Sequence, residues 1–113
     1  MTIIYHLARR HAWDHAQISG IYEGTPEDRA DGFMHFSTAH QVVVSAAKHR
    51  AGEKDLLLIA VNSDGLGDTL KWEISRGDAL FPHLYGALNL SDVISALDLP
   101  LGEDGLHIFP EMD

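Results

Sequence analysis

The sequence predicts an α+β fold: a single compact domain over residues 1–113, with mixed, mostly antiparallel sheets and about three helices. Two observations lead there. Helical spacings fall mainly before Arg50 and strand-like runs after it, a segregation expected of α+β domains rather than alternating α/β ones. The late strands also alternate apolar with polar residues, which argues against a doubly wound parallel sheet covered on both faces.

The elements follow in order. Thr2 to Ala8 ("TIIYHLA") is rich in β-branched and aromatic residues and reads as a strand. "RHAWDHAQISG" reads as a short helix, with Trp13, Gln17 and Ile18 near helical spacing and Gly20 as its stop. "IYEG" adds a brief extended segment. In "TPEDRADG" Thr25 is a cap and Pro26 stands at the first helical position, so one helical turn or a structured loop is expected. "GFMHF" reads as a strand. Ser37 or Thr38 then caps a helix running to about Arg50, which carries Val42, Val43, Val44, Ala46 and Ala47, so that one of its faces is expected to be buried.

Asp55 to Asn62 ("DLLLIAVN") is a near-continuous apolar run, as in a central strand covered on both faces. After the loop "SDGLGD", "TLKWEIS" alternates Leu70, Trp72 and Ile74 against Lys71 and Glu73, the pattern of a half-exposed strand. A turn leads to a strand around Pro82 to Tyr85, where the proline suggests an edge. Ser91 is able to cap a helix, but the order Val93, Ser95, Leu97, Leu99 favours a strand ending at Pro100. "GEDGLHIFPEMD" is a turn and acidic tail with room for one last edge strand.

Composition narrows the function. The chain has 17 acidic residues against 8 basic ones and a formal charge of −9. Its basic residues are scattered, so non-specific nucleic-acid binding, which needs clustered Lys and Arg to displace counterions, is not expected. A small phosphorylated ligand held by one or two arginines remains compatible. There is no cysteine, which excludes disulfide scaffolds, thiolate nucleophiles and Cys-based zinc sites, and fits a cytoplasmic protein. The N-terminal run is too short for a signal sequence or a membrane span, so no membrane partner is expected.

No Walker loop, dinucleotide-binding glycine motif or HExxH is present. His11 and His15 stand four apart on a predicted helix but lack a local third ligand, so a solvated helix face is expected there and no metal. Three other histidines differ, because each lies in a strand among apolar neighbours: His6 in "IIYHLA", His35 in "GFMHFST" and His83 in "LFPHLYG". A buried imidazole is costly unless its nitrogens find partners, so three of them on separate strands suggest either satisfied core residues or a site. "KWEISRG" adds Trp72, Glu73 and Arg76: a stacking surface, a carboxylate and an anion-binding guanidinium, or else a core tryptophan beside a surface ion pair.

With "ADGFMHFSTAHQ", "LKWEISRG" and "LFPHLYGALNL" in this order, the chain resembles the bacterial family called domain of unknown function 952. That family looks related to the ADP-ribosyltransferase fold, in which a compact α+β domain clamps NAD between two small sheets. The resemblance implies that His6 falls where the fold's first core strand offers a side chain to the NAD ribose. It implies that "GFMHFSTAHQ" is the strand-to-helix element on the nicotinamide side, with His35, Ser37, Thr38 and Gln41 as ligand-binding candidates. His83 stands where active transferases carry a catalytic glutamate, a departure that leaves Glu73 to supply the carboxylate or leaves a protein that binds without catalysis.

The functional expectation is therefore a site for a small-molecule nucleotide, NAD or an ADP-ribose compound, with NAD as substrate rather than resident cofactor. In the enzyme reading His35 orients or polarises the ligand and His83 or Glu73 is the general base. Arg76 neutralises the diphosphate, and Trp72 or Tyr85 stacks on a ring. The alternatives are a non-catalytic nucleotide-binding module using the same pocket and a metal site made of His6, His35, His83 and Glu73.

Overall fold

The apolar run after Asp55 forms the middle of the molecule. The computed structural model describes residues 2–112, and Arg76 only in its backbone. In chain order it contains β1 (Ile3–Arg9), α1 (Arg10–Ser19), β2 (Ile21–Tyr22), α2 (Pro26–Asp31), β3 (Met34–His35) and α3 (Ala39–His49). These are followed by β4 (Leu56–Asn62), β5 (Leu70–Ile74), β6 (Leu80–Leu84), β7 (Leu88–Asn89) and β8 (Val93–Leu99). The strands form three sheets, ordered β1-β4-β8, β2-β7 and β3-β6-β5. Every strand pairing among the described residues is antiparallel, so the expected mixed sheet is corrected to a purely antiparallel one. The result is one α+β domain with three helices, none of which is long and apolar enough to cross a membrane.

β4 is central and buried on both faces, as its composition predicts. Leu57, Ile59 and Val61 point into a core with Ile4, Ala8, Trp13, Tyr22, Phe36 and Leu84. Leu56, Leu58 and Ala60 point the other way, into a second core with Tyr5, Val42 and Leu99, against which Phe109 and Met112 pack. Each large side chain so buried contributes on the order of 1.5–3 kcal/mol. The strand preferred over a helix at Val93–Leu99 is β8. Of the expected final edge strand there is only a single bridge, Leu101 to His107.

Several boundaries and faces differ from expectation. The "GFMHF" strand shrinks to Met34–His35. The cause is Pro82: Phe36 N–H donates to the Pro82 carbonyl at 3.0 Å, but proline has no N–H to return, so the ladder stops. β6 is nevertheless the middle strand of its sheet and not an edge. In α1 the buried residues are Trp13 and Ala16, while Ile18 is exposed, because the helix turns its Trp13 face to the sheet. "SDGLGD" is two short 3-10 turns rather than an open loop.

The largest correction concerns β5. Trp72 is 41% exposed and Ile74 70% exposed, whereas Glu73 is half-buried. β5 is the edge of its sheet, and its inward face carries the carboxylate that meets His83 on β6. A hydrophobic alternation alone does not say which side of an edge strand is covered, and here the polar partner decided it.

A backbone bridge ties the first sheet to the segment that leaves the third. Tyr5 N–H donates to the Ser37 carbonyl and Ser37 N–H to the Tyr5 carbonyl, both at 2.8 Å.

Candidate functional site

Beside that junction lies a cleft of about 410 Å³. β1, α2, β3, α3 and β6 all contribute to its walls, through residues that include His6, Asp28, His35, Ser37, Arg50 and His83. All three strand histidines thus meet at one cleft, as the reading of a shared site requires.

The wall is built around Asp28, which is 4% exposed. α2 starts with a reciprocal cap: Asp28 N–H donates to Thr25 Oγ1 (3.1 Å) and Thr25 N–H donates to Asp28 Oδ2 (2.9 Å). The other oxygen, Oδ1, accepts from the His35 backbone N–H (3.1 Å) and from His35 Nδ1 (2.5 Å). One carboxylate therefore fixes both the start of α2 and the ring and backbone of His35. Burial pushes the Asp28 carboxyl up, but the His35 hydrogen bond, the nearby His6 and the two backbone donors outweigh it and hold it down at about 2.

Gly24 makes room for this arrangement. Its φ is +90°, and a Cβ there would lie 2.7 Å from Asp28 Oδ2. Gly24→Ala is expected to destabilise the fold by about 1–3 kcal/mol through backbone strain together with displacement of the carboxylate. Thermal unfolding measures it, and an unchanged midpoint would contradict the packing described.

His6 has both ring nitrogens engaged. Nδ1 donates to the His35 carbonyl (2.7 Å), so in the neutral ring Nε2 accepts from the Tyr22 hydroxyl (2.8 Å). Burial lowers the His6 imidazole below its ordinary 6.5, more than the neighbouring Asp28 raises it, and Tyr22 is pushed up by its own burial. A histidine kept neutral in the fold contributes stability that is complete above its unfolded pKa, near 6.5, and is lost as pH falls below it. Unfolding midpoints are expected to fall as pH drops from about 7 to about 5, and to fall less steeply in His6→Gln. Equal slopes for the two proteins would contradict this.

His35 and His83 sit side by side, paired across β3 and β6 with ring centroids 5.6 Å apart at 70°. His35 Nε2 lies 3.2 Å from Asp31 Oδ2, so the ring runs between two carboxylates, and both nitrogens donate only when the ring is an imidazolium. His83 is buried and stacked on Phe33 at 4.1 Å. Its Nδ1 donates to Glu73 Oε1 (2.8 Å), the oxygen that also accepts from the Tyr85 hydroxyl (2.8 Å). The His83 and Tyr85 hydrogen bonds lower the Glu73 carboxyl. With Nδ1 so committed, Nε2 is the His83 nitrogen left for a ligand. A carboxylate-oriented imidazole of this kind is able to act as a general base.

The remaining candidates separate into groups. Ser37 lines the cleft, and Glu73 and Tyr85 stand behind His83 rather than on the cleft wall. Thr38 and Gln41 form the reciprocal cap of α3, and Gln41 Nε2 donates to the Leu80 carbonyl (2.8 Å), so both are committed to the helix start. Trp72 lies on the outward face of β5, away from the cleft lining. The Arg76 side chain lies outside the described residues. His11 and His15 are exposed on α1, and among the described residues no group of three or more His, Asp or Glu is arranged to hold a metal.

Asp28, Tyr22, Phe33, Glu27 and Arg50 escape the sequence reading. Only Asp28 leaves a signal: Thr25-x-x-Asp28 has capping-box spacing, which turns the fourth side chain back toward the chain.

The fold and site define an antiparallel α+β domain with a histidine-lined cleft between two small sheets. The family described as "Protein of unknown function (DUF952)" matches residues 7–96, and the chain belongs to that family. The crystal structure of protein CC0527 from Caulobacter crescentus is similar at 46% identity and a TM-score of 0.92, covering 95% of this chain and 94% of that one. The solution NMR structure of CC0527 is similar at 47% identity and a TM-score of 0.84, covering 94% and 91%. No curated protein matches the chain.

Proposed function

We propose that the cleft binds an ADP-ribose-type dinucleotide, NAD in the first instance, and transfers or hydrolyses its ADP-ribosyl group. The observation that carries this is the His83–Glu73 pair beside His35 on one wall of a cleft of about 410 Å³. Small-molecule sites commonly measure about 300–1,000 Å³. The family whose motifs the sequence resembles looks related to the ADP-ribosyltransferase fold, and that resemblance implies the same ligand.

In this reading nicotinamide leaves with the electron pair of its bond to the ribose C1′. The oxygen of water or of an acceptor hydroxyl forms the new bond to C1′, and His83 Nε2 takes the proton. Glu73 holds the resulting imidazolium, so the base lost from the usual position is replaced by an imidazole with a carboxylate behind it. His35, fixed by Asp28, presents the ligand-facing ring, and its weaker contact to Asp31 is the one that a ligand oxygen replaces. His6 holds the wall through the His35 carbonyl.

Calorimetric titration with NAD and with ADP-ribose, followed by an assay for released nicotinamide, tests the reading. Binding of both with release supports it. Binding without release assigns the cleft to a non-catalytic nucleotide module, and failure of both to bind overturns it.

A further inference from the structure

At one end of the same cleft, Glu27 and Arg50 are part of the lining, and Arg9, just outside it, reaches the same Glu27 oxygen as Arg50. Arg9 ends β1 and Arg50 follows the last turn of α3. Arg9 Nη2 lies 3.1 Å from Glu27 Oε1 and Arg50 Nη1 lies 3.7 Å from the same atom. Behind them Glu53 takes Arg9 Nε (3.0 Å) through Oε2 and Arg50 Nη1 (3.4 Å) through Oε1. The two acids differ in cover. The Glu27 side chain is 54% exposed and lines the cleft, whereas Glu53 is more covered and does not.

We propose that Arg9 and Arg50 are a phosphate-binding pair whose site Glu27 occupies until a phosphorylated ligand displaces it. This rests on the nucleotide reading for its ligand, the diphosphate of an ADP-ribose compound, but not for its geometry. An oxygen shared by two guanidinium groups is where a phosphate oxygen makes charge-assisted contacts, and a phosphate brings more charge and more acceptors than a carboxylate. Glu53 keeps the guanidinium groups together while Glu27 is away, so the pair is preformed and little ordering cost falls on binding. The Arg9 hydrogen bond holds the Glu27 carboxyl low, at about 2, so displacement by an anion and not protonation vacates the site near neutral pH.

Glu27→Gln separates this from a network that merely ties β1, α2 and α3 together. Calorimetry with ADP-ribose, adenosine and inorganic pyrophosphate, on the wild type, Glu27→Gln and Arg50→Met, is the test, with thermal midpoints confirming that each variant folds. Glu27→Gln is expected to bind ADP-ribose several-fold more tightly, and Arg50→Met to bind it about tenfold more weakly, the size of one charged hydrogen bond. Adenosine affinity is expected to change less than about twofold, since it has no phosphate to place. If ADP-ribose binds the wild type and neither variant alters its affinity, the phosphate pair is wrong and the nucleotide reading stands. If pyrophosphate alone binds, and does so in an Arg50-dependent way, the pair stands and the nucleotide reading falls. If none of the three binds any protein, both fall.

Discussion

Replacing Asp28 by alanine is expected to lower the unfolding free energy by about 3–5 kcal/mol, the range found when one partner of a buried charged network is removed. Three donors lose their acceptor at once: the Thr25 and His35 backbone N–H groups and His35 Nδ1. The buried Thr25 donor left unpaired costs about 1–3 kcal/mol, and the half-buried His35 donors add to it. Urea unfolding at neutral pH measures the change, and a loss below about 1 kcal/mol would show that water replaces the carboxylate without strain. Acid gives an independent reading. A carboxyl held at about 2 in the fold, against 3.8 ordinarily, contributes stability that is full above the unfolded value and disappears as pH falls toward 2. Between about pH 4 and pH 2 the wild type is expected to lose about 2 kcal/mol that Asp28→Ala no longer has to lose.

The second large effect concerns the chemistry. If the cleft releases nicotinamide from NAD, His83→Ala is expected to slow that step by about 10²–10⁴, the usual contribution of a positioned general base. ADP-ribose affinity is expected to stay within about threefold, because it lacks the leaving group. Glu73→Gln is expected to slow release less, since a neutral amide still accepts from His83 Nδ1 but stabilises the imidazolium less. Steady-state release assays across pH separate the two variants. Equal rates for the wild type and His83→Ala would remove His83 from the chemistry while leaving the cleft as a binding site. Stacking on Phe33 ties His83 to the fold, so a His83→Gln variant with an unchanged unfolding midpoint serves as the control.

The parts of the fold legible in the sequence are those where local pattern and tertiary need agree. β4 reads as a central strand because both its faces are apolar, and both are buried. Thr25, Pro26 and Thr38 mark helix starts because capping is a local interaction. Where partner identity decides, the pattern misleads. Leu70, Trp72 and Ile74 look like the covered face of β5, yet the strand lies at an edge and turns Glu73 toward His83 and Tyr85 instead. The three histidines are legible as a group because burial in strands singles them out. The carboxylate that organises them is not, since Asp28 sits in a short acidic helix and resembles an ordinary surface residue until Gly24 and His35 close over it.

The backbone bridge between Tyr5 and Ser37, which ties the first sheet to the segment leaving the third, makes opening of the cleft measurable without any ligand. Because the Tyr5 and Ser37 amides donate to each other's carbonyls, separating the sheets at this seam must break both bonds together. Their exchange with deuterated solvent therefore reports how often this bridge opens, and the two amides are expected to exchange together. A molecule seated across the seam would slow both amides by the same factor, so the pair works as an internal gauge of occupancy for any compound tried.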